Sequence, residues 1–177
     1  MLGRMSAVAG PPAVTFSELP RVLHVVSGDV LDRFGRMLRQ VAYCLVDAEV
    51  SLEILTDDRD VAAEFEVGPG GLVSVPALSG WRSWGLGDQL QRRLANLPGV
   101  IHLWDARGLS RIAPWARAID AALLLYVSSR GDLDALLRAR VEGDWHVVAA
   151  CGEYADLVQE QVPAIADRVT VAPPPVS

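Results

Sequence analysis

The chain has 177 residues and a net charge of −6, and about half of its residues are hydrophobic. This length is enough for one folded domain with a full core, and the negative charge argues against a nucleic-acid backbone as the main partner. All 16 basic residues are arginine, which excludes a P-loop lysine, a Schiff-base lysine and a lysine phosphate clamp within this chain.

The first twenty residues mix Gly, Pro and Ala and lack the unbroken apolar segment of a secretory signal. We therefore expect a flexible N-terminal segment over 1–20 and a cytoplasmic protein. No apolar run approaches the roughly 20 residues that a membrane-spanning helix needs.

The stretch from Arg21 to Ala48 organises the rest of the chain. Its pattern predicts a buried strand over Arg21–Ser27, a polar loop over Gly28–Gly35 and an amphipathic helix after it. A strand that leads into a helix through a glycine-bearing turn is how doubly wound nucleotide-type folds begin. Such a turn places backbone N–H groups at the carboxyl edge of the sheet, where these folds bind ligands.

Strands and helices are expected to alternate through the remainder of the chain. The later strands are predicted at 50–56, 72–75, 100–104, 122–127, 146–150 and 168–171. Helices are predicted around 86–97 and 109–119, after Asp132 as the capping residue, and from Gly152. The fold class is therefore α/β, a Rossmann-like three-layer sandwich with a mostly parallel sheet of about seven strands.

The cysteines and histidines are widely spaced. Cys44 is expected on the buried face or edge of the first helix, and Cys151 at the end of a strand, both as small core residues and not as a disulfide or metal site. His24, His102 and His146 fall within predicted strands, so we expect core histidines and not zinc ligands.

Two predicted loops carry residues for which the sequence allows either a binding role or a structural role. Asp57, Asp58 and Asp60 follow the second strand, where they could hold Mg²⁺ or a ribose hydroxyl, or cap the next turn. Trp81 and Trp84 lie among small residues, where they could stack on a sugar ring or cover the core.

Four segments together carry a resemblance to a known family. They are Ser27-Gly28 after the first strand, the strand Val100-Ile101-His102, the junction Cys151-Gly152-Glu153 and the closing run 167–173. In this order they resemble the N-terminal domain of a GT-B-fold glycosyltransferase of the large retaining family-4 type, over about 21–176. The closing run, an acid, a base, an apolar strand and a proline, is the most specific of the four.

The resemblance implies a domain over 21–172, followed at 173–177 by the start of an interdomain linker. It implies that this domain binds the acceptor, a sugar or a lipid-linked sugar, the latter with peripheral membrane contact. In the family a C-terminal domain binds the nucleotide-sugar donor, and a sugar moves to an acceptor hydroxyl with retention. The chain would therefore be part of a longer hexosyltransferase and inactive alone, with no cofactor, no metal and no nucleic-acid partner.

By this resemblance, the acceptor site lies at the carboxyl ends of the strands, and no residue is assigned a catalytic role. The implied acceptor-binding residues are Gly28, Asp29, Arg33, Gly35, Arg36, Trp104, Asp105, Ser128, Ser129 and Glu153. Arg33 and Arg36 could hold an acidic acceptor or a phosphate, or be solvated. Asp105 could position an acceptor hydroxyl, or cap the loop that follows it.

The sequence also departs from the family pattern. The opening loop lacks consecutive glycines, Trp104 replaces a frequent second histidine, Ser128-Ser129 stand where a histidine is common, and Pro173-Pro174-Pro175 replace Pro-Asn-Gly. These changes imply an altered site.

The remaining alternative is a stand-alone, non-catalytic Rossmann-like domain that binds a glycan or a protein. A dinucleotide oxidoreductase needs Gly-x-Gly-x-x-Gly after the first strand, which Ser27–Gly35 does not supply.

Overall fold

A computed structural model describes residues 20–56, 71–74, 90–92, 94 and 97–173. The strands of the described chain are β1 (Arg21–Val26), β2 (Ser51–Thr56), β3 (Gly71–Ser74), β4 (Val100–Leu103), β5 (Ala122–Val127), β6 (Trp145–Ala149) and β7 (Val169–Val171). The helices are α1 (Gly28–Asp47), α2 (Leu109–Ala118), α3 (Arg130–Arg138) and α4 (Gly152–Gln161), with a 3₁₀ segment at Pro163–Arg168. Residues 90–92 are also helical.

The strands form one sheet in the order β3-β2-β1-β4-β5-β6-β7, and every neighbouring pair is parallel. Parallel strands need crossover connections, and α1, α2, α3 and α4 supply those from β1 to β2, β4 to β5, β5 to β6 and β6 to β7. The α/β, Rossmann-like sandwich predicted from the sequence is thus confirmed.

Each face of the sheet has its own core, because successive side chains of a strand point to opposite sides. Leu23 and Val25 of β1 belong to the larger core, which takes in buried residues of α2, α3 and α4. Val26 belongs to the smaller core, where buried residues of α1 such as Leu38 pack on β2. The protein therefore has three layers, with α1 on one face and the later helices on the other.

The sheet has a topological switch point between β1 and β4. The chain moves outward from β1 to β2 and β3, then returns to the other side of β1 and moves outward again through β4 to β7. The pairing of Val25 with Leu103 brings the carboxyl ends of β1 and β4 together. In open parallel sheets, this crevice is where ligands bind.

The predicted loop over Gly28–Gly35 is wrong, because α1 begins at Gly28 directly after β1. The N–H groups of Val30 and Leu31 bond to the carbonyl of Ser27 at 3.1 and 3.0 Å and form the first turn. Both side chains are buried, so the apolar spacing of this helix starts within the segment that the glycines suggested was a turn.

The predicted core positions of both cysteines are also wrong. Cys44 and Cys151 are exposed, free thiols. Leu38 and Val41 lie on the packed side of α1, and Cys44 lies away from them. Cys151 stands at the N-terminal end of α4, outside the core.

The three histidines have different environments. His24 is 1% exposed on β1, and His102 is largely buried on β4, as predicted. His146 is exposed, so its predicted core position is wrong. The alternate residues Trp145 and Val147 fill the larger core, which leaves His146 on the other face of β6.

Several sequence predictions fall on residues outside the described ranges. They are the flexible segment at 1–19, the acidic group at 57–60, Trp81 and Trp84, most of the 86–97 helix, and the linker residues 174–177. Among the described helices, none is both long and apolar enough to cross a membrane.

Candidate functional site

A cleft of about 400 Å³ lies at the carboxyl edge of the sheet. One side is Arg33 of α1, and another is the turn after β4. The start of α3 closes the third side. The lining residues are Arg33, Asp105, Ala106, Arg107, Ser129, Gly131, Asp132 and Ala135. The cleft therefore stands beside the switch point, where the fold predicts a ligand site.

Asp105 is fixed across the switch point by Ser27. The Ser27 hydroxyl donates to Oδ2 of Asp105 at 2.5 Å, and the backbone N–H of Arg107 donates to Oδ1 at 2.9 Å. A carboxylate offers about four lone-pair positions, so acceptor positions remain on Asp105. Its side chain is 12% exposed and lines the cleft. Asp105 can therefore accept a hydrogen bond from a ligand without losing the bonds that orient it.

Asp132 joins two of the cleft's walls. Its Oδ1 accepts the N–H of Ala106 at 3.0 Å, after β4. Its Oδ2 accepts the hydroxyl of Ser129 at 2.7 Å and both the N–H and the hydroxyl of Ser128 at 3.2 and 3.3 Å, after β5. The buried carboxylate thus holds the turns that follow β4 and β5 in one arrangement.

The sequence prediction that Asp132 caps α3 is wrong. Ser129 is the capping residue, and its oxygen accepts the N–H of Asp132 at 3.2 Å. Asp132 stands three residues later, at the spacing of a capping box, but its Oδ2 accepts the Ser129 hydroxyl and the N–H of Ser128 and not the N–H of the capping residue. Its Oδ1 accepts the N–H of Ala106.

An exposed ion pair stands at the rim of the cleft. Arg107 donates to the carboxylate of Asp29 on α1 and lies 3.9 Å from Oδ2 of Asp105. The hydrogen bond and charge of Arg107 hold the pKa of Asp29 below its usual value, and the charge of Arg33 adds to this effect. The pair joins the start of α1 to the turn after β4.

Arg33 is held by the backbone. Its Nε donates to the carbonyl of Asp29 at 3.1 Å, and its guanidinium carbon lies 5.6 Å from the ring centre of Phe34. Within the described part of the chain, its two terminal nitrogens have no hydrogen-bond partner. Arg33 is therefore a positioned donor that lines the cleft.

Trp104 lies in the smaller core and not in the cleft. It is 2% exposed, its indole N–H donates to Nδ1 of His24 at 2.9 Å, and its ring stacks on His102 at 4.8 Å. Burial lowers the pKa of His24 to about 4 and that of His102 to about 3, the latter with a contribution from His24. Both imidazoles are therefore neutral near pH 7.

The structure brings only part of the predicted acceptor set together. Asp29, Arg33, Asp105 and Ser129 line the cleft or stand at its rim. The remaining predicted residues do not line it: Gly28, Gly35 and Arg36 on α1, Trp104 in the core, Ser128 bonded to Asp132, and Glu153 exposed on α4.

Three residues that form hydrogen bonds in the cleft or at its rim were not predicted as site residues from the sequence. They are Ser27, Arg107 and Asp132. Ser27 carried a usable signal, since it directly follows β1 at the switch point. The spacing of Ser129 and Asp132 also carried one, since it is that of a capping box. Arg107 carried none, because an exposed arginine two residues after an acid is common on any surface.

Comparisons of the chain with protein-family models, curated proteins and solved structures found no match. In the described ranges, no group of three or more His, Cys, Asp or Glu side chains could hold a metal ion. The described lining of the cleft offers carboxylates, a hydroxyl and guanidinium groups as its polar chemistry.

Proposed function

We propose that the chain is the acceptor-side domain of a retaining glycosyltransferase. In this proposal it binds a sugar or lipid-linked sugar in the cleft, and a separate C-terminal domain binds the nucleotide-sugar donor. The observation that supports it best is the Asp105 carboxylate, which Ser27 orients beside the switch point of a fully parallel sheet. A carboxylate held in this way can accept the hydrogen bond of an acceptor hydroxyl.

The work of such a domain is positioning. Holding an acceptor hydroxyl next to the anomeric carbon of a donor sugar replaces an encounter in solution with a pre-oriented approach, which can supply a large share of the rate enhancement. The bonds of Asp132 to the turns after β4 and β5 fix two walls of the cleft before a ligand arrives. At about 400 Å³, the cleft falls in the size range of small-molecule sites, which is roughly 300–1,000 Å³.

The donor is assigned to another domain because a nucleotide diphosphate needs several cationic or N–H partners. Arg107 is already bonded to Asp29, and Asp105 and Asp132 add negative charge to the same cleft. A diphosphate placed here would lie next to carboxylates. This composition suits a hydroxyl-rich ligand better than a nucleotide.

The second candidate is a stand-alone domain that binds a glycan or a protein partner without catalysis. It is favoured by the hydrogen bonds that Asp105 and Asp132 already accept, and by the lack of a histidine among the described lining residues. Such a cleft can bind a ligand but offers no group that is evidently poised for proton transfer.

Thermal unfolding separates these assignments. We expect UDP- and GDP-sugars to leave the melting temperature of the chain unchanged, while an acceptor sugar raises it through binding to the folded state. A rise of several degrees with a nucleotide sugar would place the donor site in this chain and overturn the proposal. Transfer from a radiolabelled donor should be undetectable with this chain alone. Recovery of a protein partner, with no sugar binding, would favour the second candidate.

A further inference from the structure

The charged groups of the cleft indicate which class of ligand it takes. The cleft and its rim contain two guanidinium groups, those of Arg33 and Arg107. They contain three carboxylates, those of Asp29, Asp105 and Asp132. Carboxylates therefore outnumber cations. The described contacts of Asp132 come from backbone N–H groups and hydroxyls and include no cationic side chain.

An anionic ligand would meet a competing carboxylate at Arg107 and a repelling carboxylate at Asp105. It would compete with Asp29 for Arg107 and would approach the carboxylate of Asp105, which lies 3.9 Å from the same guanidinium. Like charges at short range in a partly desolvated site oppose binding. The cleft therefore disfavours a phosphorylated or carboxylated ligand, including the acidic acceptor that the arginines suggest in the sequence.

Two groups of the lining, the Asp105 carboxylate and the Arg33 guanidinium, remain available to a neutral ligand. Asp105 keeps lone-pair positions beyond its bonds to Ser27 and Arg107, and so it can accept. The terminal nitrogens of Arg33 can donate. A pair of neighbouring hydroxyls presents one donor and one acceptor together, and each can match one of these groups.

We infer that the acceptor is a neutral, hydroxyl-rich sugar whose adjacent hydroxyls bond to Asp105 and Arg33. This inference rests on the proposed function and specifies the substrate class of the same site. It assigns Asp105 as the acceptor of a ligand O–H and Arg33 as the donor to the neighbouring oxygen. Asp29 and Arg107 form the rim that discriminates against negative charge.

The test is a binding titration of the full chain followed by amide NMR. The neutral probes are methyl glucoside, methyl mannoside, methyl galactoside, N-acetylglucosamine and myo-inositol; the charged probes are glucose 6-phosphate and mannose 6-phosphate. We expect at least one neutral probe to shift the amides of Ala106, Arg107 and Gly131. We expect the phosphates to bind about tenfold more weakly than the matched neutral sugars, since one lost or repelled charged contact has that size.

The variants are Asp105→Asn and Arg33→Gln, and each should weaken the neutral probe about tenfold. Arg138→Gln is the matched control, because Arg138 is an exposed arginine at the far end of α3 and does not line the cleft. It should leave binding unchanged. Arg33 is exposed, so its variant keeps the test valid even if Asp105→Asn unfolds.

Different outcomes would overturn the inference about the acceptor and the proposed function of the domain. Tighter binding of the 6-phosphates, lost in Arg33→Gln, would overturn the neutral class and leave the acceptor-domain proposal standing. Absence of binding by every neutral probe would overturn the inference as well. Saturable binding of UDP-glucose that shifts the same amides would instead overturn the proposed function.

Discussion

Trp104 and His24 form a buried hydrogen bond in which the indole N–H donates to Nδ1 of the imidazole at 2.9 Å. This contact fixes the tautomer of neutral His24, because an Nδ1 that accepts must carry no proton and Nε2 must carry it. His102 pairs with His24 in register on the adjacent strand, with ring centres 5.0 Å apart. The two strands that meet at the switch point are thus joined by a neutral pair of imidazoles.

We expect the protein to lose stability in mild acid because of this pair. Burial holds the pKa of His24 at about 4 and that of His102 at about 3, below the usual histidine value of 6.5. The unfolded chain therefore binds more protons than the folded one below pH 6.5, so their contribution is full above that pH and is lost as pH falls toward 4. Each site contributes a slope of up to about 1.4 kcal/mol per pH unit. Urea unfolding at pH 7, 6, 5 and 4.5 measures it.

His102→Phe tests the source of that slope. It removes one titrating group and keeps an aromatic ring against Trp104, so the slope between pH 6 and pH 4.5 should fall by about half. His146→Gln is the control, since His146 is exposed on the face of β6 that points away from the larger core. An unchanged slope in His102→Phe would show that other groups cause the acid sensitivity.

Trp104→Phe should destabilise the protein by about 1–3 kcal/mol, because it removes buried ring volume and leaves the acceptor Nδ1 of His24 without a donor. Trp115 offers a matched comparison in the larger core: it is buried, and its Nε1 has no hydrogen-bond partner among the described residues. Trp115→Phe removes a similar ring but also an unpaired donor, so it should cost less. Denaturant unfolding at pH 7 gives both values, and an equal cost would contradict the role of the Trp104–His24 bond.

Asp132→Ala should destabilise the protein by about 2–4 kcal/mol, since it leaves the N–H groups of Ala106 and Ser128 without their acceptor and empties a buried site. It should also abolish sugar binding. Asp134→Ala, on the same helix, removes only a partly exposed ion pair with Arg130 and should cost less than about 1 kcal/mol. Equal costs in the two variants would show that Asp132 does not hold the two turns together.

Arg107→Gln should raise the pKa of Asp29 toward its usual value, because the bond and charge of Arg107 are the main causes of its depression. Arg33→Gln should raise it less, since Arg33 lowers this pKa only through its charge and donates to the backbone carbonyl of Asp29, not to the carboxylate. Carbon-detected NMR titration of the Asp29 carboxyl group measures both. Stability at pH 7 should change little, because both side chains of the pair are exposed to solvent. An equal pKa in the two variants would contradict the assigned pairing.

The alternating, mostly parallel architecture was within reach of the sequence because short apolar runs alternate with amphipathic segments. The run 122–127 was predicted at the bounds that β5 has. The start of α1 was not, since Gly28 and Asp29 are typical of turns and the buried Val30 and Leu31 are too few to outweigh them locally. Here tertiary packing on the smaller core decided the conformation.

The candidate site was only partly predictable for a different reason. Asp105 and Ser129 could be placed at strand ends from order alone, because parallel strands end at one edge. The inward turn of Trp104 depends on its contact with His24 in β1, 80 positions away in the chain. The exposure of His146 depends on which side of β6 faces the larger core. Neither relationship can be inferred from the spacing of residues within one strand.

One consequence follows from the direct passage of β1 into α1. The wall that carries Asp29 and Arg33 is a helix from its first residue, so it has no flexible loop to order when a ligand arrives. The entropic penalty that mobile binding loops impose is therefore small on this side of the cleft. Association should follow simple second-order kinetics, with an observed rate that rises linearly with sugar concentration and shows no saturating conformational step.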